Sequence, residues 1–164
     1  MIQRVQSLYL LAIIILGIIL CFVPVLQFTT PADAAVQRLF ELGAAGFDEL
    51  TIDMENLFLE PMELRGVWGL AVTTALIPVL AFVDIFLYRR RLVQARLNIF
   101  LAMLCLGYYG VLFIYVWFAK MNFGLDWHVT FWASIPAVCF VLTLMATRRI
   151  LKDEALVRAA DRIR

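Results

Sequence analysis

Hydrophobic positions crowd into four stretches of roughly the length, about 20 residues, that an α-helix rising 1.5 Å per residue needs to cross a ~30 Å hydrocarbon core. They fall at about residues 8–28, 67–88, 99–119 and 129–147, the first containing the uninterrupted run LYLLAIIILGIILCFVPVL. Each is predicted to be a transmembrane helix, because only isolated polar residues break the apolar runs and Asp84 alone among those is ionisable. Two polar segments remain, a loop at 29–65 and a tail at 148–164. The predicted fold is therefore an all-α membrane protein, a single domain of four transmembrane helices covering residues 1–164.

Three of the four apolar runs contain a proline: Pro24, Pro78 and Pro136. A proline inside a helix removes one backbone donor, so a bend is expected at each. Two of the prolines lie in similar contexts, ALIPVLAFVDIFLYRRR at 75–91 and ASIPAVCFVLTLMATRR at 133–149, with seven identities at a constant offset. This is a weak internal repeat, and apolar composition inflates such matches. Ala71 with Ala75, and Gly107 with Gly110, offer small-residue positions for close helix packing, chiefly within the protein's own bundle and alternatively against a partner's helix.

Composition agrees with a lipid-embedded chain. Hydrophobic residues make up 64% and charged residues 16%, against about 45–50% and about 25% in soluble domains. The net charge of +1 argues against nucleic acid as a partner, but the charges are unevenly placed. Eleven of the 14 basic residues, Arg4, Arg89, Arg90, Arg91, Arg96 and six in the tail, fall on one side of the four runs, leaving Arg38, Arg65 and Lys120 on the other. Basic residues in short loops are retained in the cytoplasm, so both termini are expected there, in a multi-pass protein of the bacterial inner membrane. The first run is longer than the 7–15 residues of a signal-peptide core and is read as an uncleaved span.

The 29–65 loop is then extracytoplasmic. It is acidic, with eight carboxylates against Arg38 and Arg65. Val36, Leu39, Phe40 and Gly43 follow Pro31 at helical spacing, which suggests a short amphipathic helix lying on the membrane, while TIDMENLFLE suits extended segments. FDELTIDMENLFLE lacks the spacing and turn glycine of a calcium loop, and no metal site is predicted.

Asp84 is the residue most open to a functional reading, because an unpaired charge inside a span costs several kcal/mol. It lies close to the cytoplasmic boundary beside Arg89, Arg90 and Arg91, with Arg96, Arg148 and Arg149 on the same side. A structural salt bridge tying helix ends together is expected, with a proton or substrate relay as the alternative. The single histidine, His128, sits in LDWHVTFW and reads as part of an aromatic interfacial belt; haem held by two histidines needs a second one. Cys21, Cys105 and Cys139 all lie in apolar runs and form no metal-binding or disulfide pattern. No catalytic motif occurs, and neither an enzyme activity nor a cofactor is expected.

The tail KDEALVRAADRIR places Leu156, Ala159, Ala160 and Ile163 on one stripe, with opposite charges three or four residues apart. It is predicted to be an amphipathic helix continuing the fourth span or resting on the cytoplasmic surface. The two ends, MIQRVQSLYLL and RRILKDEALVRAADRIR, resemble the terminal signatures of a small four-span membrane family of Bacteroidota, domain-of-unknown-function family 4293. The resemblance implies a four-helix protein of the bacterial inner membrane and carries no activity. Expected partners are the bilayer, including anionic lipids at the cytoplasmic face, and a second copy or another membrane protein. The leading functional reading is a non-enzymatic scaffold or accessory subunit; the alternative is a small transporter or channel using Asp84 and the proline-bent helices.

Overall fold

The computed structural model describes residues 3–29, 39–44, 47–50, 68–87, 91–123 and 126–161. Helices dominate, in the order α1 (Gln3–Phe22), α2 (Trp68–Phe86), α3 (Arg91–Phe123) and α4 (Ile135–Asp161). Three helical stretches, Trp68–Phe86, Leu92–Met121 and Phe131–Asp153, are long and apolar enough to cross a membrane, and Ser7–Phe22 is a shorter apolar helix. In the bundle α1 packs against α2 and α4, and α3 against α2 and α4. Leu10, Ile13, Leu20, Leu70, Ile77, Ala81, Leu101, Cys105, Tyr108 and Cys139 fill its core. Large apolar side chains such as Ile15, Phe82, Phe100, Phe113 and Ile114 point outward. So many outward apolar side chains suit lipid better than water.

The all-α expectation is corrected by a four-stranded antiparallel sheet. Its strands are β1 (Pro24–Thr29), β2 (Leu39–Gly43), β3 (Phe47–Leu50) and β4 (Asp126–Val129), in the order β3-β2-β1-β4. Proline explains the first boundary. The residue before a proline is pushed away from helical geometry, so α1 stops at Phe22 and Pro24 opens a strand, where a missing donor is tolerated. The register slips between Pro24 and Leu26, and the carbonyl of the intervening Val25 accepts instead from Thr130 N, at 3.2 Å. Val25, Leu26, Phe28 and Leu42 are buried in the same cluster as Ala119, Ala133 and Ile135, so the sheet closes one end of the bundle.

Other expectations change with the sheet. Leu39, Phe40 and Gly43 belong to β2 and not to an amphipathic helix, while Pro31 and Val36 and the TIDMENLFLE segment lie outside the described residues. His128 and Trp127 sit in β4, opposite Gln27 and Phe28. The helix around residues 129–147 therefore begins later, with a short 3-10 turn at Phe131–Ser134 before α4. At its other end α4 runs on to Asp161, so the described part of the tail is helical and continuous with the preceding apolar segment, as predicted. Helix α3 is longer than its apolar run of 99–119, and Arg91–Asn98 form its first two turns.

Gly107 and Gly110 face outward, and a Cβ built on either meets nothing within 4 Å. Ala75 is also exposed. The close approach inside the bundle occurs elsewhere: a Cβ on Gly17 of α1 would stand 2.9 Å from Cδ of Pro78 on α2. A proline ring cannot swing aside, so overpacking here carries the usual cost of about 1–3 kcal/mol. We predict that Gly17→Ala lowers the unfolding temperature in detergent micelles and that adding Pro78→Ala recovers most of the loss. Gly17→Ala unfolding at the wild-type temperature would show that the contact relaxes freely.

Candidate functional site

Asp84 lies in the last turn of α2, 1% exposed. The connection to α3 spans only residues 87–90, so α3 folds straight back along α2. Gln94 and Asn98 are one helical turn apart on α3 and share its inward face. Both bond to Asp84: Asn98 Nδ2 donates to the carboxylate Oδ2 at 2.7 Å, and Gln94 Nε2 donates to the backbone carbonyl at 3.3 Å. The second bond caps one of the four carbonyls that the end of any α-helix leaves without an internal partner. The pair thus clamps a single residue through its side chain and its main chain.

The other oxygens of this group are less well served. Asp84 Oδ1 and Asn98 Oδ1 are both buried and accept no hydrogen bond. Nearby on the sequence of α4, Thr143 and Thr147 are buried, and each donates its hydroxyl to its own helix, to Cys139 O at 2.7 Å and Thr143 O at 2.8 Å. A buried acceptor without a donor costs about 1–3 kcal/mol, more when charged.

Among the described side chains, the group that meets the Asp84 carboxylate is an amide and not the expected cation. Among the described residues no cation reaches the carboxylate. Arg96, Arg148 and Arg149 are exposed; Arg89 and Arg90 lie outside the described residues, and Arg91 opens α3 with its side chain undescribed. Helical phase is the reason. Arg96 is two positions from both Gln94 and Asn98, which turns it to the far face of α3. Arg148 and Arg149 likewise fall between the buried Thr147 and Ile150 of α4 and point outward.

The prolines also divide. Pro78 lies inside α2, as predicted. Pro24 is in β1, and Pro136 is the second residue of α4, where no helix is interrupted because the first turn has no internal acceptor for its amides. Those two predicted bends are thus corrected to element starts. The repeat is matched only in part by burial: Ile77 and Ile135 are both buried, as are Ala81 and Cys139, but Ala75 is exposed where Ala133 is buried, and the prolines occupy unlike places.

At the junction before α4 a second polar contact appears. The Tyr109 hydroxyl of α3 donates to Ala133 O at 2.8 Å and accepts from Ala137 N at 3.0 Å. It stands between the two groups that an α-helical bond would join directly, which opens the ladder where the 3-10 turn meets α4.

Sequence reasoning located Asp84 and missed Gln94, Asn98, Tyr109, Thr143 and Thr147. One signal was available. Gln94, Asn98, Leu101, Cys105, Tyr108 and Leu112 recur at three- and four-residue steps, and all are buried.

A family model described as a domain of unknown function (DUF4293) matches residues 2–163. No curated protein matches the chain.

The clamp predicts energetic coupling. Asn98→Leu removes the side-chain donor to a buried carboxylate and should cost about 1–3 kcal/mol. Asp84→Leu removes the acceptor, so the double variant should fall short of the sum of the single losses by about 0.5–3 kcal/mol in unfolding measurements in detergent. Simple additivity would show that the 2.7 Å bond contributes nothing.

Proposed function

Because the chain belongs to the DUF4293 family, whose description assigns no activity, we propose its role from its own residues: a non-enzymatic scaffold or accessory subunit of a membrane complex. In this reading four helices cross the bacterial inner membrane with both termini in the cytoplasm. Supporting it are three helices of sufficient length, a fourth apolar helix beside them, and the bias of basic residues toward the bundle end opposite the sheet. The sheet then faces the extracytoplasmic side. Arg96, Arg148 and Arg149, exposed at the other end, suit the phosphates of anionic lipids.

The observation that carries the scaffold reading is the outward placement of Gly107 and Gly110. Small residues in a membrane helix let another backbone approach closely, yet none of the described residues uses the space above these two. Met103, Leu106, Phe113 and Ile114 flank them, also outward, so the glycines form a shallow notch in an apolar face of α3. A transmembrane helix of another membrane protein, or of a second copy, fits it. Nucleic acid does not.

The transporter or channel reading rests on Asp84 and moving helices. Of the bends it uses, at Pro78 and Pro136, the second is an element start, and large side chains such as Tyr108, Leu101 and Ile77 fill the middle of the bundle. The packing therefore favours the scaffold.

Gly107→Leu with Gly110→Leu tests this directly, because the open space predicts that the variant folds with an unchanged unfolding temperature. It should lose the proteins, or the second tagged copy, that wild type retains after gentle solubilisation from native membranes. Wild type recovered alone, or unchanged recovery with the variant, would overturn the reading.

A further inference from the structure

Contacts on both sides of α3 fix the register of the antiparallel helices. On the α2 side Asn98 meets Asp84, and Tyr115 places its hydroxyl against Gly69. On the α4 side Tyr109 meets Ala133 and Ala137, that is, the level of Ile135. Eleven residues back along α3 from Tyr109 is Asn98, and eleven residues on along α4 from Ile135 is Ala146. Asn98 thus lies at the level of Thr143 and Thr147. By this register the buried groups Asp84, Gln94, Asn98, Thr143 and Thr147 share one polar level across three helices, near the end of the bundle opposite the sheet.

Donors and acceptors in this layer do not balance. The Thr143 and Thr147 hydroxyls are engaged by their own helix, Gln94 Nε2 by a main-chain carbonyl, and Asn98 Nδ2 by one carboxylate oxygen. Two side-chain oxygens, Asp84 Oδ1 and Asn98 Oδ1, have no donor, in residues 1% and 0% exposed. They belong to the two groups already joined by the 2.7 Å bond, so they flank the same contact. The end of α2 adds main-chain carbonyls and the negative pole of its dipole.

We propose that this layer binds one monovalent cation of the sodium type, held by the carboxylate of Asp84 and the amide oxygen of Asn98. Oxygen donors select hard cations over zinc or copper. A single carboxylate selects a single charge, since a divalent ion would leave the buried site positive, and no group of three or more metal-binding His, Cys, Asp or Glu exists among the described residues. Carbonyls at the C-terminal ends of broken membrane helices play the same part in sodium-coupled transporters. The site is independent of the notch on α3 and of any partner there.

The test uses the purified full chain in nanodiscs, with sodium chloride exchanged for choline chloride at constant ionic strength. Sodium should raise the unfolding temperature in a saturable manner. That rise should vanish in Asp84→Asn and Asn98→Leu and persist in Asp126→Asn, whose carboxylate is exposed on β4. An equal effect of choline, a rise that survives in Asp84→Asn, or stability that follows pH with no response to sodium would overturn the proposal; the last would place a proton in the position. Should the variants fail to fold, equilibrium binding of radioactive sodium to wild type decides the matter, with about one ion per chain expected and no saturable binding overturning the site.

Discussion

An acid buried among apolar helices is held only where its neighbours supply donors, and Asn98 supplies one to Asp84 at 2.7 Å. Much of the bundle depends on that bond. It joins the last turn of α2 to the second turn of α3, and with Gln94 on the adjacent carbonyl it fixes both the level and the rotation of α3 against α2. Rotation matters because the stripe that begins with Gln94 and Asn98 continues through Leu101, Cys105 and Tyr108 into the core. A polar contact therefore selects the face that apolar burial then stabilises, a division of labour for which buried polar groups in helical assemblies are best known.

Tyr109 acts similarly at the far side of α3. Its hydroxyl serves a donor and an acceptor on α4, so it specifies a position along that helix as well as proximity to it. Between the two pins the packing is mainly apolar, with Thr74 and the Tyr108 hydroxyl buried in it, and Gly17 of α1 sits close against Pro78 of α2. The sheet completes the arrangement. Strand β1 continues directly from α1, and β4 lies between α3 and α4, so pairing β1 with β4 ties three helices together through their backbones.

The helices were legible in the sequence because hydropathy alone reports them: a run of apolar residues such as 67–88 has few other fates. The sheet was hidden for the same reason. PVLQFT is apolar enough to read as the end of the first run, and only Pro24 marked the change, since a proline near a helix end is compatible with either a bend or a stop. LFELG offers apolar positions that fit a helix and a strand equally; β3 follows it closely in sequence, but pairing with β1 joins it to a segment read as the end of a helical run. At the site, Asp84 stood out as the one ionisable residue in a run, but its partner did not. Counting charges pointed to arginine, whereas the choice among Gln94, Arg96 and Asn98 depends on helical phase across a short connection. Asn98 stands one residue before the apolar run at 99–119, outside the run itself and outside any count of charges.

The two ends of the bundle thus meet the same requirement by different means. Where the sheet closes the bundle, most polar groups of the chain pair with one another, strand with strand, Thr130 N with Val25 O, and Tyr109 with both sides of an opened helical turn, and the Thr130 hydroxyl is left buried without a partner. At the other end the groups are side chains, and acceptors outnumber the donors free to meet them. Apolar substitutes of similar size would avoid that imbalance at little cost in packing. An acid and an amide facing each other make poor sense as filler, since each leaves an oxygen unpaired. They make good sense together with a positive charge, which answers both oxygens and the end of α2 at once.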